Sequence, residues 1–140
     1  MKKLTLAAAL VLVTLAATTG QTQGFTRNTW DGVFTEEQAE RGMALAETNC
    51  VMCHAANLRG GPGAPPIAGA EFLFVWSTQS VHSLFDYLKL NMPPVEPGSL
   101  SDQEYVDVVA AILSSSAFPA GEMELPTEGL SEIQILRTRP

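Results

Sequence analysis

Both cysteines of this 140-residue chain, and one of its two histidines, fall within five residues: Cys50, Val51, Met52, Cys53 and His54. Thiols and an imidazole at that spacing can do four kinds of chemistry. A disulfide would close a very short loop, constrain little of the unfolded chain and leave His54 without a role. A thioredoxin-like redox pair belongs on a βαβ unit, and no strand-like alternation occurs here. A zinc site needs four ligands; Cys50, Cys53, His54 and the remote His82 reach that count, but their spacing fits no common zinc module. The fourth chemistry is covalent haem attachment, of which this pentad is the signature. Cysteines three apart on a helix lie on one side of it. Each can take one vinyl group of a porphyrin as a thioether, and His54 then presents its imidazole to the iron. The pentad points to one haem c, held through Cys50 and Cys53.

The iron then has a sixth position, for which His82 and the methionines compete. Met92 stands in "LNMPPVEPG", 38 residues beyond His54 and followed by two prolines. A thioether on a proline-stiffened loop has little ordering entropy left to lose. The alternative is that Met92 fills a core gap, as methionine commonly does. Met52 lies inside the attachment turn, Met43 on a helix and Met123 near the end of the chain. His82 falls between Val81 and Leu84 on a second helix, where a surface or partly buried role suits it better than ligation. The expected metal ligands are therefore His54 and Met92.

Three helices can be read as the scaffold for these groups. The first starts at Thr35, with Gln38 three residues on as a capping-box partner. Glu36 and Glu37 suit its positive end, and it is expected to run into Cys50 and on towards His54. Gly42 in its middle costs about 1 kcal/mol relative to alanine, which marks a place where another backbone comes close. The second, "SVHSLFDYLKLN", puts Val81, Leu84, Phe85 and Leu88 on one face and must stop before Met92–Pro93. The third begins at the Ser101 cap with Glu104 answering it, and buries Tyr105, Val108, Val109 and Ile112. Between the first two lies "LRGGPGAPPIAG", too rich in glycine and proline for helix or central strand. After Gly121, the apolar Leu125, Leu130, Ile133, Ile135 and Leu136 read as a tail that wraps the body, with a structureless tail as the alternative. The class is all-α.

The opening "MKKLTLAAALVLVTLAATTG" has two lysines, a short apolar run and then small and polar residues, the layout of a secretory signal peptide. The run is short for a full span of about 20 residues. Cleavage is expected just after Gly20, leaving about 120 residues, enough for one modest core that a large ligand would help to staple. The expected division is a signal peptide at 1–20, an amino-terminal extension at 21–34, the main domain at 35–121 and a wrapping tail at 122–140. Loss of Lys2 and Lys3 moves the formal charge from −7 to −9, because all fifteen acidic residues lie beyond residue 30. Such a protein should not seek nucleic acid or anionic lipid, and no stable membrane insertion is expected after cleavage. Export also agrees with haem attachment, which is completed outside the cytoplasm.

With the pentad and the downstream methionine in place, the chain resembles a class I cytochrome c. "WDGVFTEEQAERGMAL", "GGPGAPPIAG", "NMPPVEPGSLSDQEYVDVVAAIL" and "FPAGEMEL" are similar to small periplasmic cytochromes, and cytochrome subunits, associated with quinone- or molybdenum-dependent dehydrogenases. The likeness spans roughly residues 30 to 126 and implies three main helices around one covalently bound haem. Carried over by position, Cys50 and Cys53 bear the thioethers, His54 is the proximal ligand and Met92 the distal one. Pro65 matches the proline whose carbonyl accepts the proton of the other imidazole nitrogen, a bond that fixes the tautomer. Ile67 and Gly69 match the pocket wall, Trp76 matches a haem-edge or core position, and Gly42 matches the crossing of the first and last helices. Two positions depart from the pattern. Ala46 stands where an aromatic is common and Ala111 where a tyrosine is common, so a tail residue such as Leu125 or Leu130 is expected to fill the gap.

The function this implies is single-electron transfer by a periplasmic monohaem carrier, between a partner such as a dehydrogenase and a terminal acceptor, with no catalytic residue. A tightly bound electron-transfer subunit of a dehydrogenase complex is the main alternative. A haem sensor or peroxidase would require Met92 to be labile.

Overall fold

The computed structural model describes residues 24–140. The signal peptide expected at 1–20 lies outside the described residues. Five helices follow one another: α1 (Glu36–Asn49), α2 (Val51–His54), α3 (Ala70–Trp76), α4 (Val81–Asn91) and α5 (Asp102–Ser115). A short 3-10 turn at Leu130–Glu132 precedes β2 (Ile133–Gln134), which pairs in parallel with β1 (Arg27–Asn28). The fold is all-α, and among the described residues no helix is long and apolar enough to cross a membrane.

The central helix is α5. Its start carries the full capping box: the Ser101 hydroxyl accepts from the Glu104 amide and the Glu104 carboxylate accepts from the Ser101 amide at 2.7 Å. The expected stripe of Tyr105, Val108, Val109 and Ile112 is buried, but so is every residue from Tyr105 to Leu113. A helix packed on several sides loses its polar face; here α1 and α4 both pack on it. Helix α4 matches its expected limits, with the Ser80 hydroxyl accepting from the Ser83 amide and Val81, Leu84, Phe85 and Leu88 buried.

Helix α1 crosses α5 with small residues between them. Gln38, Ala39, Gly42 and Ala46 are its buried positions. A Cβ added at Gly42 would overlap the Asp107 carbonyl, so this glycine is where the two backbones meet. Thr35 caps α1 as expected, accepting from the Gln38 amide at 3.1 Å, but Gln38 does not return the bond. Its fully buried amide turns inward, donating to Asp107 Oδ1 (3.1 Å) and the Leu125 carbonyl (2.9 Å) and accepting from the Leu125 amide (2.7 Å). A buried amide left unpaired would cost about 1–3 kcal/mol, so these long-range partners outweigh the local cap. Asp107, also buried, is shared with Arg41, whose guanidinium reaches Glu124 at 2.9 Å as well.

The tail wraps the body. Leu125, Leu130, Ile133 and Ile135 are buried. The segment around Ile135 lies between the amino-terminal extension and the α3–α4 link: the Thr29 amide donates to Gln134 O (2.9 Å), the Thr78 amide to Ile135 O (2.8 Å) and the Ile135 amide to Gln79 O (2.9 Å). The tail does not fill the expected gap at Ala111. That residue lines a surface groove with Ala39 and Met43, and no tail residue lines it. Leu125 is held instead beside Gln38, and close approach at Gly42 is what closes the crossing. Helix α3 is a further difference from the sequence reading. Its run Phe72–Trp76 is continuously apolar and shows no helical period, and Gly69 starts it without a side-chain cap.

Candidate functional site

The pentad does not continue α1. The chain leaves the helix at Cys50, whose amide still donates to Ala46 O at 2.8 Å, and re-enters a single turn, α2. The amides of Cys53 and His54 both donate to Cys50 O, at 3.1 and 3.0 Å. That turn sets the two thiols and the imidazole along one cavity of about 450 Å³, within the usual range for cofactor sites. No disulfide joins the two cysteines; Cys50 is half-buried and Cys53 exposed. Burial pushes the Cys50 thiol above its ordinary range, the reverse of what a redox nucleophile needs.

His54 is buried, and its Nδ1 lies 2.7 Å from the Pro65 carbonyl. A carbonyl can only accept, so Nδ1 carries the proton and Nε2 keeps the lone pair that a metal would take. Pro65 is held by a tight loop. The Gly60 amide donates to His54 O, and the amides of Ile67 and Ala68 both donate to Leu58 O. A Cβ on Gly60 would press into Pro66.

Met92 lines the same cavity from the end of α4, where its amide donates to Leu88 O at 2.8 Å. Pro65, Ile67 and Trp76 line it too. Trp76 is packed as well as lining: its ring stacks on Phe72 (6.2 Å) and meets Tyr87 edge-on (5.5 Å). Gly69 is not among the lining residues, which corrects its expected place in the wall. It is buried behind the wall, with positive φ, donates to Ser116 Oγ at 3.0 Å and turns the chain into α3. His82 stands outside the cavity, half-exposed, with Nε2 3.2 Å from Asp86. Among the described residues no three His, Cys, Asp or Glu side chains are grouped to hold a metal ion, and His82, the fourth ligand a zinc site would need, is not part of the cavity.

The wall also includes Phe72, Leu84, Leu88 and Ile112. Leu84, Leu88 and Ile112 were visible as buried stripe positions, but periodicity cannot distinguish a residue that packs on protein from one that faces a cofactor. At the cavity mouth Val75 (63% exposed) and Tyr87 (46%) are both lining and open to solvent. Leu90, one turn after Tyr87, and Val95, just past Pro94, are also exposed.

The donor set suits a porphyrin and little else. Two thiols stand at one side, an imidazole with its tautomer fixed stands beside them, a thioether lines the same space, and the walls are apolar. The family model described as cytochrome C oxidase, cbb3-type, subunit III matches residues 37–110. The comparison with curated proteins finds no match.

Proposed function

This chain belongs to that family and is a class I c-type cytochrome, an electron-transfer protein with covalent haem c; on that premise we propose that it is a periplasmic monohaem carrier between a dehydrogenase and a downstream acceptor. The observation that supports it most is the single apolar cavity that gathers Cys50, Cys53, His54 and Met92. When bound, haem supplies the one-electron couple of its iron. Cys50 and Cys53 would hold it, His54 Nε2 and Met92 Sδ would be its protein ligands, and Pro65 keeps the imidazole in the ligating tautomer. Phe72, Leu84, Leu88 and Ile112 exclude water, which together with a methionine ligand would raise the potential. A sensor or peroxidase would need Met92 to give way to oxygen or peroxide.

Met92→Ala tests the ligand set. The holoprotein should keep its covalent mass but lose the near-infrared band of methionine-ligated ferric haem. Its potential should fall by roughly 0.1 V or more, within the ~0.8 V span that axial ligands set. An unchanged band and potential would remove Met92 from the site.

Electrons would pass through the mouth at Val75 and Tyr87, with Leu90 and Val95 as its apolar apron. Placing Leu90→Glu and Val95→Glu there should slow self-exchange between oxidised and reduced copies by about tenfold, because like charges are then forced together. The potential should stay put. Self-exchange at the parent rate would place the electron path elsewhere. The exposed Phe74 (74%), Leu90 (72%) and Val95 (92%) also favour a second reading, a permanent subunit of a dehydrogenase complex. Gel filtration of native material separates the two readings.

A further inference from the structure

Tyr105 is only 2% exposed, yet its hydroxyl is used twice. It donates to the Met92 carbonyl at 2.7 Å and accepts from the Gly98 amide at 3.0 Å. Met92 and Gly98 bound the segment 92–98, the larger part of the loop (92–101) that joins α4 to α5. Inside that loop the Glu96 amide donates to Pro93 O and the Ser99 amide to Glu96 O, while residues 94 to 99 are exposed. One hydroxyl therefore pins both ends of an otherwise surface-lying segment to the central helix. Its own position is set firmly. Tyr105 follows the Ser101–Glu104 capping box directly, and its ring meets Phe85 edge-on at 6.3 Å. The Lys89–Asp102 ion pair at 2.6 Å also spans the loop, but it is solvent-exposed and of the kind that contributes little.

We propose that Tyr105 is a positioning residue for the Met92 sulfur. A methionine side chain has three rotatable bonds, so its sulfur is well placed only if the main chain beneath it is fixed. The Tyr105 hydroxyl fixes that main chain at the carbonyl of Met92 and stops the loop from swinging at Gly98. With both ends held, less freedom is lost when the sulfur binds. The hydroxyl thus sets how readily another ligand displaces the sulfur, without touching the haem itself. The inference rests on Met92 being the axial ligand.

The test uses the full holoprotein carrying Tyr105→Phe, which keeps the ring and removes both hydrogen bonds. Imidazole is titrated into the ferric protein while the near-infrared band is followed. Tyr105→Phe should show the band in buffer but lose it at about tenfold lower imidazole than the parent, the scale of two lost hydrogen bonds. Val109→Ala, buried away from the cavity, is the control: it should lower the thermal midpoint and leave the imidazole midpoint where it was. An imidazole midpoint unchanged in Tyr105→Phe overturns the proposal while Met92 ligation stands. If Met92→Ala matches the parent spectrum, the ligand reading falls and this inference falls with it. A further measurement needs no variant. The Gly98 amide should exchange slowly in the parent although its loop is exposed, and exchange at a free-loop rate would overturn the proposal even if Tyr105→Phe failed to fold.

Discussion

The double substitution Cys50→Ala, Cys53→Ala should abolish the folded, coloured product. Without its two covalent anchors the cofactor is retained only through axial bonds, and its loss leaves a cavity of about 450 Å³. At ~24 cal/mol per Å³, a fully closed void of that size would cost on the order of 10 kcal/mol, an upper bound for a cavity open at its mouth. The whole stability of a domain is about 5–15 kcal/mol. Collapse cannot relieve the penalty cheaply, because the walls come from four separate elements: His54 from α2, Phe72 and Trp76 from α3, Leu84 and Leu88 from α4, and Ile112 from α5. Closing the space means moving helices whose other faces are already packed. The expected result is a fall in soluble yield of at least about tenfold and loss of near-ultraviolet circular dichroism, with an intact mass equal to bare polypeptide. Each single substitution should fall between, with one thioether still formed. A double variant with the parent's yield and unfolding midpoint would mean that the fold does not depend on the cofactor.

The parts of this site that were legible in the sequence are those whose signal is local. The pentad is five residues long, and its chemistry follows from residue type and spacing. Helices α4 and α5 carry both a cap and a period, and their limits came out as read. Gly42 was legible as a cost without a local benefit, and the Asp107 carbonyl supplies the reason. What escaped is long-range or aperiodic. Gln38 looks like a capping partner until Asp107 and Leu125 compete for its amide, and they lie 69 and 87 residues away. Helix α3 escaped because an unbroken run of apolar residues has no phase. Tyr105 was read correctly as buried, but burial is a property of its ring; the use of its hydroxyl depends on a loop that only the folded chain brings to it. The tail was recognised as apolar and wrapping, yet its contact with the α3–α4 link, through Thr78, Gln79 and Ile135, carries no local mark.

Gly42→Ala sets local preference directly against tertiary contact. Helix propensity alone favours the substitution by about 1 kcal/mol. The added methyl, however, would occupy the space of the Asp107 carbonyl. That neighbour is backbone in the middle of α5, so it cannot turn aside as a flexible side chain would; the helices must separate. Overpacking of this kind costs about 1–3 kcal/mol or more, so the net effect is destabilising, with the thermal midpoint of the holoprotein down by roughly 5–15 °C. Ala44→Gly, on the exposed face of the same helix, should cost only the propensity difference of about 1 kcal/mol, so the ranking by propensity is reversed. Gly42→Val should go further and prevent recovery of folded holoprotein. The effect should also reach the redox centre, because α1 leads into Cys50 while α5 carries Ile112 and Tyr105 to the cavity and the Met92 loop. Separating the crossing moves both walls at once, so in Gly42→Ala the near-infrared band should bleach at lower imidazole than in the parent. A midpoint raised by Gly42→Ala would mean that the two backbones are not in contact there.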